Sequence, residues 1–160
     1  MKSFDPQVFS IALNILTGIL IAAISSWITV QLSLRRFRAE KWWERKADAY
    51  SKVIEALHNS KAFSDHFLNV EIEGGKLPEE REKELRSRGK VASDEILKTM
   101  DVGAFLLSDE ALNRLRQYQK DADAASDQPE WFLYLEADLA AANKCLRDII
   151  VIAKKDLKTK

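Results

Sequence analysis

Hydrophobic positions along this chain fall into two regimes. From residue 8 to residue 34 the sequence VFSIALNILTGILIAAISSWITVQLSL carries no charged side chain. Beyond it, apolar positions recur at helical spacing among dense charge. As a helix rising about 1.5 Å per residue, the first stretch reaches roughly 40 Å, more than the roughly 30 Å hydrocarbon thickness of a bilayer. The pattern predicts a transmembrane helix over residues 8–34, tilted or with emergent ends, after a short outer tail at residues 1–7 in which Asp5 and Pro6 start the helix.

Neither Gly nor Pro occurs from Ile19 to Glu73, so nothing breaks the helix as it leaves the span, and one rod is expected to about Glu71. Trp43, Ala47, Tyr50, Ile54 and Leu57 then form one buried stripe, which Phe63, Phe67 and Val70 continue. EGGKLP makes the turn. A second helix opens with Glu79, Glu80 and Glu82 at the positive end of its dipole, and Leu85, Ala92, Ile96 and Met100 are its apolar line. The continuously apolar VGAFLL (residues 102–107) follows, and Ser108 with Asp109 and Glu110 marks a third helix lined by Leu112, Leu115, Ala122 and Ala125. Asp127 and Glu130 have capping-box spacing around Pro129, and Leu135, Leu139, Ala142, Leu146, Ile149 and Ala153 form the seam of a fourth helix. No segment alternates as a strand would.

The expected fold class is therefore all-α: an N-terminal transmembrane helix continuous with a cytoplasmic antiparallel four-helix bundle at residues 35–157. Its helices are placed at about 35–71, 79–101, 109–125 and 128–156, with a tail at 158–160. In that topology the second and fourth helices return toward the bilayer. They bring Lys154, Lys155, Lys158 and Lys160 near the headgroups, with VGAFLL on the same side, closing the end of the bundle. Contact of VGAFLL and these lysines with lipid or with a neighbouring subunit's span is the alternative.

Small and polar residues within the span are ordered. Ser10, Asn14, Gly18, Ala22 and Ser26 follow one another every fourth residue in a slowly drifting line along one face, and Ser25, Thr29 and Ser33 make a shorter line beside it. In hydrocarbon, small residues let two backbones approach, and an Asn amide gains by finding a partner on another helix. The expectation is self-association through this face.

Charge sets the orientation. Lys2 and Asp5 are the charges before the span, whereas residues 35–46, RRFRAEKWWERK, hold six basic and two acidic side chains. Excess Lys and Arg marks the cytoplasmic side, which puts the N-terminus outside and the bundle within. A cleaved signal peptide fits less well, because the apolar run is too long, no basic region precedes it, and no small-x-small site leads to a plausible mature start. Arg35, Arg36, Arg38, Lys41 and Trp42 are expected at lipid headgroups or at a subunit contact.

Composition narrows the function. With 25 basic and 25 acidic side chains, nothing overall calls for a nucleic-acid partner. A lone Cys145 excludes an intrachain disulfide and a Cys-rich metal cluster, and it stands within an apolar seam where a thiol is inert. His58 and His66, eight residues apart on one helix, are separated by about 12 Å and cannot share a metal. Glu55 with His58 makes at most half a site. There is no glycine-rich phosphate loop and no Ser, His and Asp set in a motif. The chain is expected to be non-enzymatic and without a cofactor.

Trp43, Glu44, Arg45, Lys46, Ala49 and Tyr50 form a W-E-R-K-x-x-A-Y stretch. It resembles one in small bacterial proteins of uncharacterised function that join a single N-terminal span to a helix, and the resemblance implies an inner-membrane setting. In overall plan the chain is also similar to the membrane accessory protein of type VI-B CRISPR systems, a family that joins one span to a helical domain of the HEPN kind and assembles into a ring-shaped pore. It departs from that family's nuclease pattern, since no Arg is followed after four to six residues by His. Two roles follow: an oligomeric membrane assembly, with a pore or membrane perturbation as its extension, or a membrane tether whose bundle recruits a cytoplasmic protein.

Overall fold

The computed structural model describes residues 6–158, with side chains from residue 16 onward. The described residues form α1 (Pro6–Glu73), α2 (Glu79–Val102), a short 3-10 turn (Gly103–Phe105), α3 (Asp109–Ser126) and α4 (Trp131–Lys158). No strand occurs among them, so the fold is all-α. The chain divides into two units, the first ending at Trp42 and the second beginning at Trp43.

Each helix end has a local cause. α1 stops where glycine enters: Gly74 takes φ +63°, a left-handed conformation that side chains with a Cβ rarely adopt. The Gly75 N–H donates to the Val70 carbonyl at 3.1 Å and the Gly74 N–H to Glu71 at 3.3 Å, which satisfies two terminal carbonyls in a Schellman arrangement. Glu79, Glu80 and Glu82 lie in the first turn of α2, as their charge requires. Ser108 caps α3, its hydroxyl accepting from the Ala111 N–H at 3.3 Å. The fourth helix differs from expectation. It starts at Trp131, and Asp127 ends α3 instead of capping α4. Pro129 disfavours helical geometry at Gln128, so the chain must turn first.

Side-chain contacts give the helix directions within the second unit. Tyr50 and Ser64 of α1 meet Asp156 and Asp138 of α4, so these two helices run oppositely. Arg114 with Asp148, and Glu110 with Lys155, show the same for α3 and α4. Tyr50 with Ser108, and Ser60 with Tyr118, make α1 and α3 run together. Arg86 stands over Phe67 while Gly89 lies against Phe63, so α2 runs opposite to α1.

The apolar residues meet in two clusters. The larger includes Tyr50, Leu57, Ile96, Leu115, Cys145 and Ile149; the smaller joins Phe67, Leu85 and Leu135, with Phe63 and Tyr134 against them. Leu135, Asp138, Ala142, Cys145, Ile149 and Ile152 are buried on α4, spaced by three or four residues. Of the expected seam, Leu135, Ala142, Ile149 and Ala153 are buried, whereas Leu139 and Leu146 are half-buried and Asp138 and Ile152 take core positions. On α1, Tyr50, Val53, Leu57 and Phe67 are buried, whereas Ala47 and Ile54 sit at the edge and Trp43 is exposed. In VGAFLL, Gly103 and Leu107 are buried and Leu106 packs on the larger cluster, while Val102 and Phe105 remain 63% and 62% exposed. The connection both closes the core and presents an apolar edge.

Leu135 is fully buried at the centre of the smaller cluster. Leu135→Ala is expected to cost about 2–5 kcal/mol, by lost transfer energy and an uncollapsed cavity, whereas Val151→Ala on the exposed face changes stability by less than about 0.5 kcal/mol. Urea unfolding of both variants in detergent, followed by circular dichroism, measures the difference.

Candidate functional site

The described part of α1 is long and apolar enough to cross a membrane, by length and composition: an 18-residue window within it has mean hydropathy 1.6, and none of that window is buried. Every side chain from residue 16 to residue 45 is exposed, including Ile19 at 61% and Trp27 at 65%. Isolated exposed apolar residues are ordinary, but a continuous surface of this kind marks a contact with lipid or protein.

Three of the five residues expected on the association face are described with their side chains. Gly18, Ala22 and Ser26 are exposed, and a Cβ built at Gly18 meets nothing within 4 Å, so that side of the helix is open. The side chains of Ser10 and Asn14 lie outside the described residues, as do residues 1–5 of the predicted outer tail and residues 159–160 at the other end. In the neighbouring line the Thr29 hydroxyl donates to the Ser25 carbonyl at 2.8 Å, which satisfies its hydrogen within its own helix. On the flank, Arg35, Arg36, Arg38, Lys41 and Trp42 are all exposed, and the Lys41 ammonium stands 5.8 Å from the Phe37 ring centre.

The W-E-R-K-x-x-A-Y stretch has a structural meaning in the second unit. The Trp43 indole N–H donates to the Leu157 carbonyl at 3.1 Å, Lys46 lies 3.6 Å from Asp156, and Ala49 and Tyr50 are buried. The Tyr50 hydroxyl donates to Asp156 and also meets the Ser108 hydroxyl at 3.3 Å. Glu44 and Arg45 are exposed. Burial acts to raise the Asp156 carboxyl, but hydrogen bonds from Tyr50 and Ser108 together with the Lys46 charge outweigh it and hold the group below its ordinary range. Burial pushes the Tyr50 phenol up, and its bond to Asp156 adds to that.

His58 is exposed, and His66 lines a small pocket with Arg81 and Arg88, whose positive charges oppose a cation there. No group of three or more His, Cys, Asp or Glu side chains among the described residues is placed to hold a metal. Cys145 is buried and desolvation pushes its thiol up to about 12, so a thiolate is disfavoured.

Two charged residues stand off the apolar lines of their helices in sequence and are nevertheless largely buried. Arg114 is 12% exposed and its Nε donates to Asp148 at 2.7 Å. Asp138 is 6% exposed, between the two apolar clusters, and accepts a hydrogen bond from the fully buried Ser64 hydroxyl. Burial raises the Asp138 carboxyl, and the Ser64 bond offsets only part of that. Its position three after Leu135 and four before Ala142 is the sequence signal: a charge at core spacing. Comparison with family models, curated proteins and solved structures finds no match to this chain.

Because the folded Asp138 carboxyl keeps its proton to higher pH than the unfolded one, its contribution is full at acid pH and is lost as pH rises above the ordinary value of 3.8. Asp138→Asn is therefore expected to gain stability relative to the parent with increasing pH across that window, read as the separation of their urea midpoints. The groups about it are Ser64 on α1, Arg86 on α2, Tyr118 on α3 and Tyr134 on its own helix. For Cys145, a thiolate-directed reagent at mildly alkaline pH is expected to leave the folded protein unlabelled and to modify the urea-unfolded chain promptly, measured by intact mass.

Proposed function

We propose that this chain is a non-enzymatic single-span membrane protein of the bacterial inner membrane, with its N-terminus outside and an antiparallel four-helix bundle in the cytoplasm, which self-associates through its span and helices. The observation that supports this reading most is the wholly exposed apolar surface of the first unit. Side chains that would each gain about 1.5–3 kcal/mol from burial require an apolar medium. The Lys and Arg excess at residues 35–46 supplies the orientation. The line through Gly18, Ala22 and Ser26, continued in sequence by Asn14 and Ser10, supplies the face on which copies meet.

A pore or membrane-perturbing effector extends this reading. Polar faces gathered around Asn14 line a path only in a closed ring, since a lone polar face in lipid is costly. A tether that recruits a cytoplasmic protein is the second reading. It is favoured by the second unit's own two-cluster core, which makes that unit a separate platform.

The parent protein purified in nonionic detergent or nanodiscs is expected to show a multiple of the chain mass, and Asn14→Leu combined with Gly18→Leu to shift it to the monomer. An unchanged oligomer in the double variant favours the tether. Recovery of the parent as a monomer soluble without detergent removes the membrane reading altogether. A protease site added at the N-terminus should be cut in intact spheroplasts while the C-terminal helices stay protected.

A further inference from the structure

A cleft of about 410 Å³ opens between α2 and α3, within the second unit, and its floor is made by α1 and α4. This volume lies in the range of small-molecule sites, roughly 300–1,000 Å³. Asp138 and Tyr134 of α4 line it together with Ser60 and Phe63 of α1 and Tyr118 of α3. The groups converging on the floor are thus a carboxyl, hydroxyls and aromatic rings.

The carboxyl is the decisive group. Asp138 is more than nine-tenths buried, yet no Lys or Arg among the described residues pairs with it; its bonded partner is the Ser64 hydroxyl. A buried carboxylate without a counter-charge is among the least favourable groups a core can hold. A helix seam that needed only packing would have Leu or Ala there, as at Leu135 and Ala142 on either side. The cleft brings the outside to this group.

Charge on the walls then selects the guest. Arg86 lines the cleft, but its guanidinium is engaged by Glu82 at 2.8 Å and stands over the Phe67 and Trp131 rings at 5.1 and 5.7 Å. Its charge is met by a carboxylate and two rings, and what is left of it acts on the Tyr134 phenol, not in an ion pair with Asp138. Asp123 adds a second carboxylate on the α3 wall, and the exposed Lys90 lines the α2 wall. Tyr118 and Tyr134 bring aromatic rings, a group that attracts cations, to the lining; one face of Tyr134 is stacked on Trp131 at 5.1 Å, and burial raises both phenols so that they stay neutral. The Tyr118 hydroxyl already lies 2.7 Å from Ser60, which holds its ring in place.

We propose that this cleft binds a small organic cation, a protonated primary amine, whose ammonium pairs with Asp138 and lies against Tyr118 and Tyr134, while Asp123 and Lys90 meet its polar remainder. The ligand supplies the counter-charge that the fold withholds. This site stands on the second unit alone and does not depend on the span or on self-association.

Calorimetric titration of the full-length protein in nonionic detergent tests it with tyramine and putrescine, each against the uncharged analogue that carries hydroxyl in place of amine. Saturable binding of at least one amine at millimolar concentration is expected, with no binding of its analogue. Asp138→Asn, which keeps the bond to Ser64, should weaken that binding by about tenfold or more, with helical circular dichroism unchanged. Asp123→Asn, on the exposed wall, is the second variant and should weaken it by a smaller factor should Asp138→Asn fail to fold. Absence of binding by both amines, equal binding of the hydroxyl analogues, or undiminished binding in the Asp138 and Asp123 variants overturns the proposal.

Discussion

Three helices of the second unit meet at one carboxylate, and their register follows from it. Asp156, near the end of α4, accepts from Tyr50 of α1 and lies beside Lys46, while the same tyrosine hydroxyl touches Ser108, the residue that caps α3. Burial of apolar area is non-directional, so a seam of Leu, Ile and Ala spaced by three and four residues permits a neighbouring helix to slide with modest loss. A phenol between a carboxylate and a capping hydroxyl permits no such slide, since displacement strands all three groups. The Trp43 indole on the Leu157 carbonyl extends the same clasp. Six residues that in sequence look like a juxtamembrane label are, in the fold, largely the fastening of α1 to α4.

Asp138 is the counterpart on the same pair of helices, buried where Asp156 is half-buried. Asp156 has a phenol, a second hydroxyl and an ammonium around it, and its acidity is strengthened. Asp138 has one serine hydroxyl, and its acidity is weakened. Both sit near helix-spaced core positions on α4, so local propensity does not separate them; the depth of burial and the surroundings contributed by α1 and α3 do. One carboxylate locks the assembly of helices, whereas the other lies open to a cleft and remains electrostatically incomplete.

Much of the architecture was legible because it rests on local chemistry. The absence of Gly and Pro up to Glu73 gave one helix, the Gly74 and Gly75 pair ended it, and Ser108 capped the third. Those are properties of a few adjacent residues. What was less legible depends on partners distant in sequence. On α4 the spacing placed Leu135, Ala142, Ile149 and Ala153 in the core, with Cys145 inside the seam, and all are buried, but Leu139 and Leu146 are half-buried and the core position beside them goes to Asp138, which Ser64 holds. A pattern of apolar positions takes charge to mean surface, and so the core spacing of Asp138 was passed over. The start of α4 was misplaced for a different reason: Asp127 and Glu130 have the spacing of a cap, yet Pro129 between them favours a turn. For the association face, Gly18, Ala22 and Ser26 occupy an open side of their helix, and openness is a precondition for contact rather than contact itself.

On the reading proposed for the span, the polar line has meaning only after insertion. In water, exposed Ser and Gly on a helix gain nothing by meeting, because each hydroxyl or amide is already hydrated and a lone apolar helix would collapse on any greasy surface. In hydrocarbon the apolar side chains lose their preference for one another, since lipid tails serve them equally well, and what remains is the small-residue face, where backbones approach and amides find partners. Thr29 has already spent its hydrogen on the Ser25 carbonyl, so its line offers less to a neighbour than a face containing an amide, which cannot satisfy both its ends within one helix. The order of events is therefore constrained: insertion first, driven by the residues that do not discriminate, and association second, driven by the few that do. The second unit, with its own cores and its own clasp, has no need to wait for either.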